Sequence, residues 1–103
     1  MLNQAIVVGR FTENLSLNEN GELKSKIAVT RCYKNEDGIY ETDFIPFRAK
    51  GNIAAQAYAY CKKGDVVGIK GTLIVENDCM IIEVEKITFL SSTSNSNKIE
   101  EEK

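Results

Sequence analysis

The chain has 103 residues, of which 43% are hydrophobic, and a formal net charge of −2. This length allows one modest hydrophobic core and is too short for two domains. No apolar run is long enough to cross a bilayer, and no N-terminal basic region precedes an apolar stretch and a cleavage site, so we expect an unexported, cytoplasmic protein that does not contact membranes.

The cysteines do not match a metal site. Cys32, Cys61 and Cys79 are odd in number and widely spaced, and the sequence contains no histidine to complete a zinc-binding set. We therefore expect three reduced thiols, as is usual in the cytoplasm, and no metal or cofactor.

The charge distribution is nearly balanced along the chain. Through Leu90 there are 11 basic and 12 acidic side chains, which neither favours nor excludes a nucleic acid as partner. Between Lys24 and Lys50, six basic side chains stand against four acidic ones, a weak local excess. Attraction for a polyanion would therefore depend on where these cations lie.

Three strands are predicted in the first half of the chain. Residues 2–10 contain an unbroken apolar run, which predicts a strand covered on both faces. Turn residues at 18–21 lead into a second strand through residues 27–29. The sequence Asn-Glu-Asp-Gly at 35–38 then predicts a hairpin onto a third strand, residues 39–49.

The third strand alternates between two kinds of side chain. Ile45, Phe47 and Ala49 form the row predicted to enter the core. The opposite row combines an aromatic ring, a proline and two cations, which suits a polyanion: Phe44, Pro46, Arg48 and Lys50. Because Pro46 cannot donate a ladder hydrogen bond, we expect an edge or a bulge there.

One helix, residues 53–62, is predicted between the third and fourth strands. Its apolar residues recur at three-and-four spacing, which predicts one buried face made of Ile53, Ala54, Ala57, Tyr58 and Cys61. Asn52 is suited to cap its start, Lys62 and Lys63 suit its last turn, and Gly64 suits its end. We expect the helix to plug the barrel and its tyrosines, Tyr58 and Tyr60, to pack.

Two more strands are predicted after the helix, residues 66–75 and 79–90, joined by a short turn at Asn77-Asp78. Gly68 and Gly71 would allow the fourth strand to bend sharply or another backbone to come close. Residues 91–103 are rich in serine and asparagine and end in an acidic run, and Ile99 is their only core-forming side chain, so they are predicted to form a flexible tail.

The order of three strands, one helix and two strands predicts an all-β fold, a five-stranded oligonucleotide-binding (OB) barrel with one helix between strands 3 and 4. The predicted domain comprises residues 1–90.

Short motifs within this domain occur in the order and spacing of a known family. They are Met1-Leu2-Asn3, Val8-Gly9-Arg10, Asp43-Phe44-Ile45, Lys62-Lys63-Gly64, Gly71-Thr72-Leu73 and Phe89-Leu90. From Met1 to Leu90 the chain resembles the bacterial and phage single-stranded DNA-binding proteins, especially the short forms of low-GC Gram-positive bacteria and their phages. The resemblance implies an OB barrel, usually a homotetramer, that coats unpaired DNA in replication, recombination and repair and catalyses no reaction.

The resemblance also implies which side chains bind DNA. In the family, aromatic residues on strands 2 and 3 stack on bases, and those positions here are Tyr33 and Phe44. Nearby cations would meet phosphates, and the candidates are Arg31, Lys34, Arg48 and Lys63, to which the third-strand row adds Lys50. Single-stranded DNA, further copies of the chain, and replication or repair proteins are the expected partners.

The chain departs from the family pattern at four points. The first three leave fewer stacking platforms and predict weaker binding or a shorter footprint, and the fourth concerns the recruitment of partners. The chain has no tryptophan, and Lys50 stands where a further aromatic residue is common. The turn at Asn77-Asp78 replaces a long flexible hairpin. The closing residues 100–103 lack the terminal Pro-Phe that recruits partner enzymes in the family, which argues against recruitment through this tail.

Two other functions are compatible with the sequence. An OB-fold protein-interaction barrel, or a primosome-type adaptor with weak nucleic-acid binding, is favoured by the missing tryptophans, the short turn and the near-neutral charge. Tyr33 and Phe44 would then be barrel or interface residues. An enzyme has little support, because Asp43, Glu83 and Glu85 form no recognisable catalytic or metal-binding set.

Overall fold

A computed structural model of the chain describes residues 1–91, so the predicted tail lies outside the described residues except for Ser91. Five strands and one helix follow in the predicted order: β1 (Ala5–Phe11), β2 (Leu23–Lys34), β3 (Tyr40–Ala49), α1 (Gly51–Tyr60), β4 (Val66–Glu76) and β5 (Cys79–Ser91). The strands close into a barrel in the order β1-β2-β3-β5-β4. The predicted all-β barrel with one helix between strands 3 and 4 is confirmed.

Two long antiparallel hairpins, β2–β3 and β4–β5, form most of the barrel wall. β1 joins β2 and β4, also in antiparallel orientation. The barrel closes through a parallel ladder between β3 and β5, in which Phe47 lies opposite Ile82 and Arg48 lies opposite Glu83. These two pairs place a core contact and a charged contact on opposite sides of one short seam.

The core fills the inside of the barrel through alternating strand residues. Phe11 and Phe47 lie at its centre, with ring centroids 5.8 Å apart. The helix contributes only Ala54 and Ala57 as fully buried residues. Within residues 1–91, the buried core comprises Phe11, Leu15, Leu23, Ile27, Phe47, Ala49, Ala54, Ala57, Val67, Ile69, Ile82 and Val84. The predicted inward row of the third strand is therefore correct, with Ile45 partly buried against this cluster.

Gly71 allows two backbones to come close where β4 meets β5. A Cβ atom at this position would lie 2.1 Å from the carbonyl oxygen of Glu83, far inside van der Waals contact. At Gly68 a Cβ would meet only a methyl group of Val8, at 3.9 Å. The predicted close approach thus occurs at Gly71 and not at Gly68.

The prediction that β1 is covered on both faces is wrong for the single chain. β1 begins at Ala5, and its side chains alternate between partly buried and exposed. Ile6 and Val8 point outward with 67% and 53% of their surface exposed. The apolar run therefore has two parts: one face of β1 packs toward the core, and the other face is apolar but exposed in the single chain.

The helix differs from its prediction at both ends. It spans Gly51–Tyr60. Lys50 occupies the N-cap position, but its side chain makes no capping hydrogen bond, and the backbone becomes extended at Cys61. Asn52 therefore does not cap the helix, and Lys62 and Lys63 lie beyond its last turn. Gly64 has a positive φ of 91°, but it serves the turn before β4.

The predicted packing of the helix tyrosines is also wrong. Tyr58 and Tyr60 are 54% and 77% exposed. The buried stripe of α1 is narrow, because Ala54 and Ala57 are small and only Ile53 and Cys61 pack partly beside them. No helix among residues 1–91 is long and apolar enough to span a membrane.

The two hairpin turns follow the predicted chemistry. In the first, the side-chain oxygen of Asn35 accepts hydrogen bonds from the backbone N–H groups of Asp37 and Ile39. In the second, Asn77 and Asp78 both have positive φ, 52° and 64°, as a two-residue hairpin turn requires.

Candidate nucleic-acid interface

The outward side of the β2–β3 hairpin carries the predicted aromatic and cationic row. Ladder pairing places Phe44 opposite Ala28, Pro46 opposite Lys26, and Arg48 opposite Lys24. Because successive side chains point to opposite faces of a strand, and Ile27 and Phe47 between them are buried, these residues share the solvent side. We call this surface the β2–β3 outer face, defined by Lys24, Lys26, Ala28, Phe44, Pro46 and Arg48.

Phe44 presents its ring to solvent at one end of this face, where it pairs with Ala28. The side chain is 60% exposed, and its cross-strand neighbour Ala28 is too small to cover it. At the next outward pair, the hydroxyl groups of Thr30 and Thr42 form a hydrogen bond of 3.3 Å between the two strands. A large exposed ring on a rigid strand provides a flat apolar platform beside charged residues, which is the arrangement used to stack unpaired bases.

Arg48 lies on this face, but carboxylates already occupy its guanidinium. Its Nε donates to Glu83 Oε1 at 3.0 Å, and its terminal nitrogens donate to Glu83 and Glu76. These hydrogen bonds raise the pKa of Arg48 above its ordinary value. Only 13% of the side chain is exposed. The predicted phosphate-binding arginine therefore ties β3 to both strands of the β4–β5 hairpin.

Arg31 lies on the opposite side of the same hairpin. It binds Asp43 in a bidentate manner, with two N···O distances of 3.0 Å, and Glu41 at 2.7 Å. Asp43 lies opposite Val29 and alternates with Phe44, so this ion pair faces away from the exposed ring. The hydrogen bond from Arg31 lowers the pKa of Asp43 below its ordinary value. The structure does not bring Arg31 together with Phe44.

Tyr33 and Lys34 lie at the far end of the hairpin. Tyr33 is 62% exposed and falls in the stretch between Thr30 and Lys34 where the ladder shifts register. Lys34 places its ammonium 5.7 Å from the ring centroid of Tyr40, within cation–π range. The ladder pairs Lys34 with Tyr40 and so places Lys34, but not Tyr33, on the side of the hairpin that carries Phe44.

The last two predicted cations lie outside the paired part of β2 and β3. Lys50 follows the end of β3, and its ammonium is 3.8 Å from a carboxylate oxygen of Glu22. Lys63 is exposed in the turn between α1 and β4, where its backbone N–H donates to Asn14. Neither belongs to the β2–β3 outer face.

Lys24 and Lys26 were not among the predicted site residues, although both contribute to the local basic excess. Both are exposed on the outer face. None of the ion pairs in the described part of the chain involves either of them. Their alternation with Leu23 and Ile27, which are buried, is the sequence signal that would have placed them beside Phe44.

The exposed groups of the outer face are few and of two kinds. Within residues 1–91, no group of three or more His, Cys, Asp or Glu side chains is placed to hold a metal ion. The exposed groups of the outer face are one aromatic ring and two ammonium groups, which can stack and neutralise charge.

The chain matches a family of known proteins in sequence and in fold. The model of the single-strand binding protein family matches residues 2–78. Single-stranded DNA-binding protein 1 of Clostridium acetobutylicum is 37% identical, and the match covers 72% of each chain. Single-stranded DNA-binding protein B of Bacillus subtilis is 31% identical over 71% of this chain and 68% of the relative. The Staphylococcus epidermidis single-stranded DNA-binding protein is 32% identical, and the match covers 58% of that longer chain.

A solved structure supports the fold independently. The small single-stranded DNA-binding protein from Streptomyces coelicolor superposes with a TM-score of 0.69, covering 87% of this chain and 95% of that chain at 22% identity. The family match over residues 2–78 and the 37% identity to the Clostridium acetobutylicum protein show that the chain belongs to the single-strand binding protein family.

Proposed function

We propose that this chain binds single-stranded DNA without sequence preference through its β2–β3 outer face, with Phe44 as the central stacking platform. The exposed ring of Phe44 beside Lys24 and Lys26, which form no ion pair within residues 1–91, carries this proposal, and the names of the sequence relatives support it. Every base has a π-face, so stacking tolerates any sequence and contributes about 1–3 kcal/mol per base. The protein-interaction adaptor is not favoured by these likenesses.

The other predicted residues contribute to DNA binding to different extents in this proposal. Tyr33 supplies a second exposed ring, and Lys34, Lys50 and Lys63 are cations available to phosphates of a longer strand. Arg31 and Arg48 contribute to phosphate binding only where DNA displaces their carboxylate partners. Catalysis forms no part of the proposed activity.

We further propose that the chain acts as a homotetramer. Two rings per chain supply only a few kcal/mol of stacking, by the value of about 1–3 kcal/mol per base. Several subunits on one strand raise the affinity, because each added site binds at a high effective concentration. The outward apolar side chains of β1, Ile6 and Val8, offer a surface for another copy. Action in cytoplasmic replication, recombination and repair, with partner proteins of those processes, completes the proposal.

Oligonucleotide titrations test the binding activity. Labelled oligo-dT and a duplex of equal length would be titrated with the wild-type protein and with Phe44→Ala. We expect preference for oligo-dT and a loss of at least about fivefold in affinity in the variant, since one stacked base is worth at least about 1 kcal/mol. Tyr58→Ala, which removes an equally exposed ring from α1, is the matched control. Equal affinity of the wild-type protein for oligo-dT and duplex would refute the proposal.

The assembly is tested by solution mass. Light scattering with and without oligo-dT should give four chains per particle for the wild-type protein. Replacing Ile6 and Val8 by lysine should reduce the mass, because it places charge on the apolar surface of β1. A wild-type mass of one chain in both conditions would exclude the tetramer.

A further inference from the structure

The β2–β3 outer face is electrically asymmetric about β3. On its β2 side, Lys24 and Lys26 are exposed cations that take part in none of the ion pairs found within residues 1–91. On its β5 side, Glu83 and Glu76 surround Arg48, and the three groups together carry a net charge of −1. A strand of DNA lying over Phe44 therefore meets attraction on one side and repulsion on the other.

We propose that Lys24 and Lys26 are the phosphate-binding cations of this surface, that the DNA backbone follows β2, and that Arg48 is a positioning residue. This inference rests on the proposed binding of single-stranded DNA. On this face it reassigns phosphate binding from Arg48, one of the predicted contacts, to two lysines on the neighbouring strand.

The register places both lysines within reach of a nucleotide stacked on Phe44. Lys26 lies opposite Pro46 and is therefore the diagonal neighbour of Phe44, a separation of about 7–8 Å between Cα atoms. Lys24 lies two residues before Lys26 in β2, about 6.7 Å from it and on the same face, one step further from Phe44. A lysine side chain is long and flexible, so both ammonium groups can reach the backbone of a strand whose bases lie over β3.

Among residues 1–91, neither lysine has an ion-pair partner that it would have to give up to bind phosphate. Arg48 differs, because a phosphate would have to displace two carboxylates from a side chain that is 13% exposed. The displaced carboxylates would then repel the incoming phosphate. The arginine instead links the end of β3 to Glu83 on β5 and Glu76 on β4, and so holds the β4–β5 hairpin beside the platform.

The salt dependence of binding distinguishes the two roles. On single strands, log K falls against log[salt] with a slope of about −0.7 per neutralised phosphate. We would measure oligo-dT affinity from low to moderate salt for the wild-type protein, Lys24→Gln/Lys26→Gln and Lys62→Gln. Lys62 is an exposed lysine in the turn after α1, and its variant shows the effect of losing one positive charge away from this face. Arg48→Gln/Glu83→Gln removes one positive and one negative charge and so leaves the net charge unchanged.

The lysine double variant should have a slope shallower by about 1.4 for each engaged chain and an affinity lower by about fivefold per lost contact at 0.1 M salt. Lys62→Gln should keep the wild-type slope. Arg48→Gln/Glu83→Gln should also keep the wild-type slope while binding more weakly, as expected of a residue that positions the hairpin.

Three results would overturn the inference. A wild-type slope in the lysine double variant would show that the backbone does not follow β2. A shallower slope in Arg48→Gln/Glu83→Gln would make Arg48 a phosphate contact, and an unchanged affinity would remove its positioning role. The lysine double variant still tests the path of the DNA backbone if the arginine variant unfolds, because Lys24 and Lys26 are exposed and their replacement should not disturb the fold. If the wild-type protein does not bind oligo-dT, the proposed function itself fails.

Discussion

Arg48 on β3 lies opposite Glu83 on β5, and the guanidinium donates two hydrogen bonds to a single carboxylate oxygen across the barrel seam. The seam has only two ladder positions, and Phe47 packs with Ile82 in the core at the other one. The parallel closure of the barrel therefore depends on one apolar and one ionic contact, on opposite sides of the sheet.

Replacing Arg48 by methionine should destabilise the fold. The variant leaves Glu83 and Glu76 without their partner at positions that are only 25% and 38% exposed. Arg31→Met is the matched control, because that arginine and its partner carboxylates are 39–49% exposed and solvent weakens their interaction. In thermal unfolding, Arg48→Met should lower Tm more than Arg31→Met. Equal Tm values for the two variants would contradict the seam role.

Replacing Gly71 by alanine should be strongly destabilising. The added methyl group would overlap the carbonyl oxygen of Glu83, so β4 and β5 must separate. We expect a loss of about 2–3 kcal/mol or more in the free energy of unfolding, at the upper end of overpacking effects. Gly68→Ala is the control and should change it by less than about 1 kcal/mol, since its nearest neighbour is 3.9 Å away. Urea denaturation of both variants makes the comparison.

The ion pair between Arg31 and Asp43 should make part of the stability depend on pH. Because the folded-state pKa of Asp43 is lowered, its contribution is fully present above the ordinary aspartate pKa of about 3.9 and is lost as the pH falls through the lower folded value. The Tm difference between wild type and Asp43→Asn should therefore be constant from neutral pH to about pH 5 and shrink in more acidic buffer. A difference that stays constant to pH 2 would contradict this.

Cys61 should react with alkylating reagents more slowly than Cys32 and Cys79. It is half-buried in a cavity of about 410 Å³ between α1 and β5, where burial and the nearby Asp65 carboxylate raise the pKa of its thiol. The reactive thiolate is therefore scarcer than at an exposed cysteine. Peptide mass spectrometry after a short iodoacetamide pulse at neutral pH measures the three rates. The rates should become equal in urea, and equal rates in the folded protein would contradict the prediction.

The parts of the fold that follow from local chemistry could be predicted from the sequence. The turns at residues 35–38 and 77–78 occur where predicted, because Asn, Asp and Gly tolerate the required backbone angles. The inward row Phe47 and Ala49 follows from alternation alone. The outward position of Phe44 follows from the same pattern.

The parts that depend on long-range pairing could not be predicted. Arg48 is 28 residues from Glu76 and 35 from Glu83, so no local spacing reveals that carboxylates occupy it. The face of Arg31 depends on its pairing with Asp43 across the hairpin. The helix ends were misplaced because Lys62 and Lys63 are typical of a last turn, whereas the chain leaves the helix at Cys61 to reach β4.

The two-residue turn at Asn77-Asp78 has a consequence for how a bound strand would leave the protein. The β4–β5 connection consists of these two residues, both in the left-handed conformation. It therefore has no spare length to fold over its surroundings. This connection cannot cover nucleotides lying on β2 and β3. We expect them to dissociate without the β4–β5 connection having to open, and lengthening it is a direct way to prolong the lifetime of the complex.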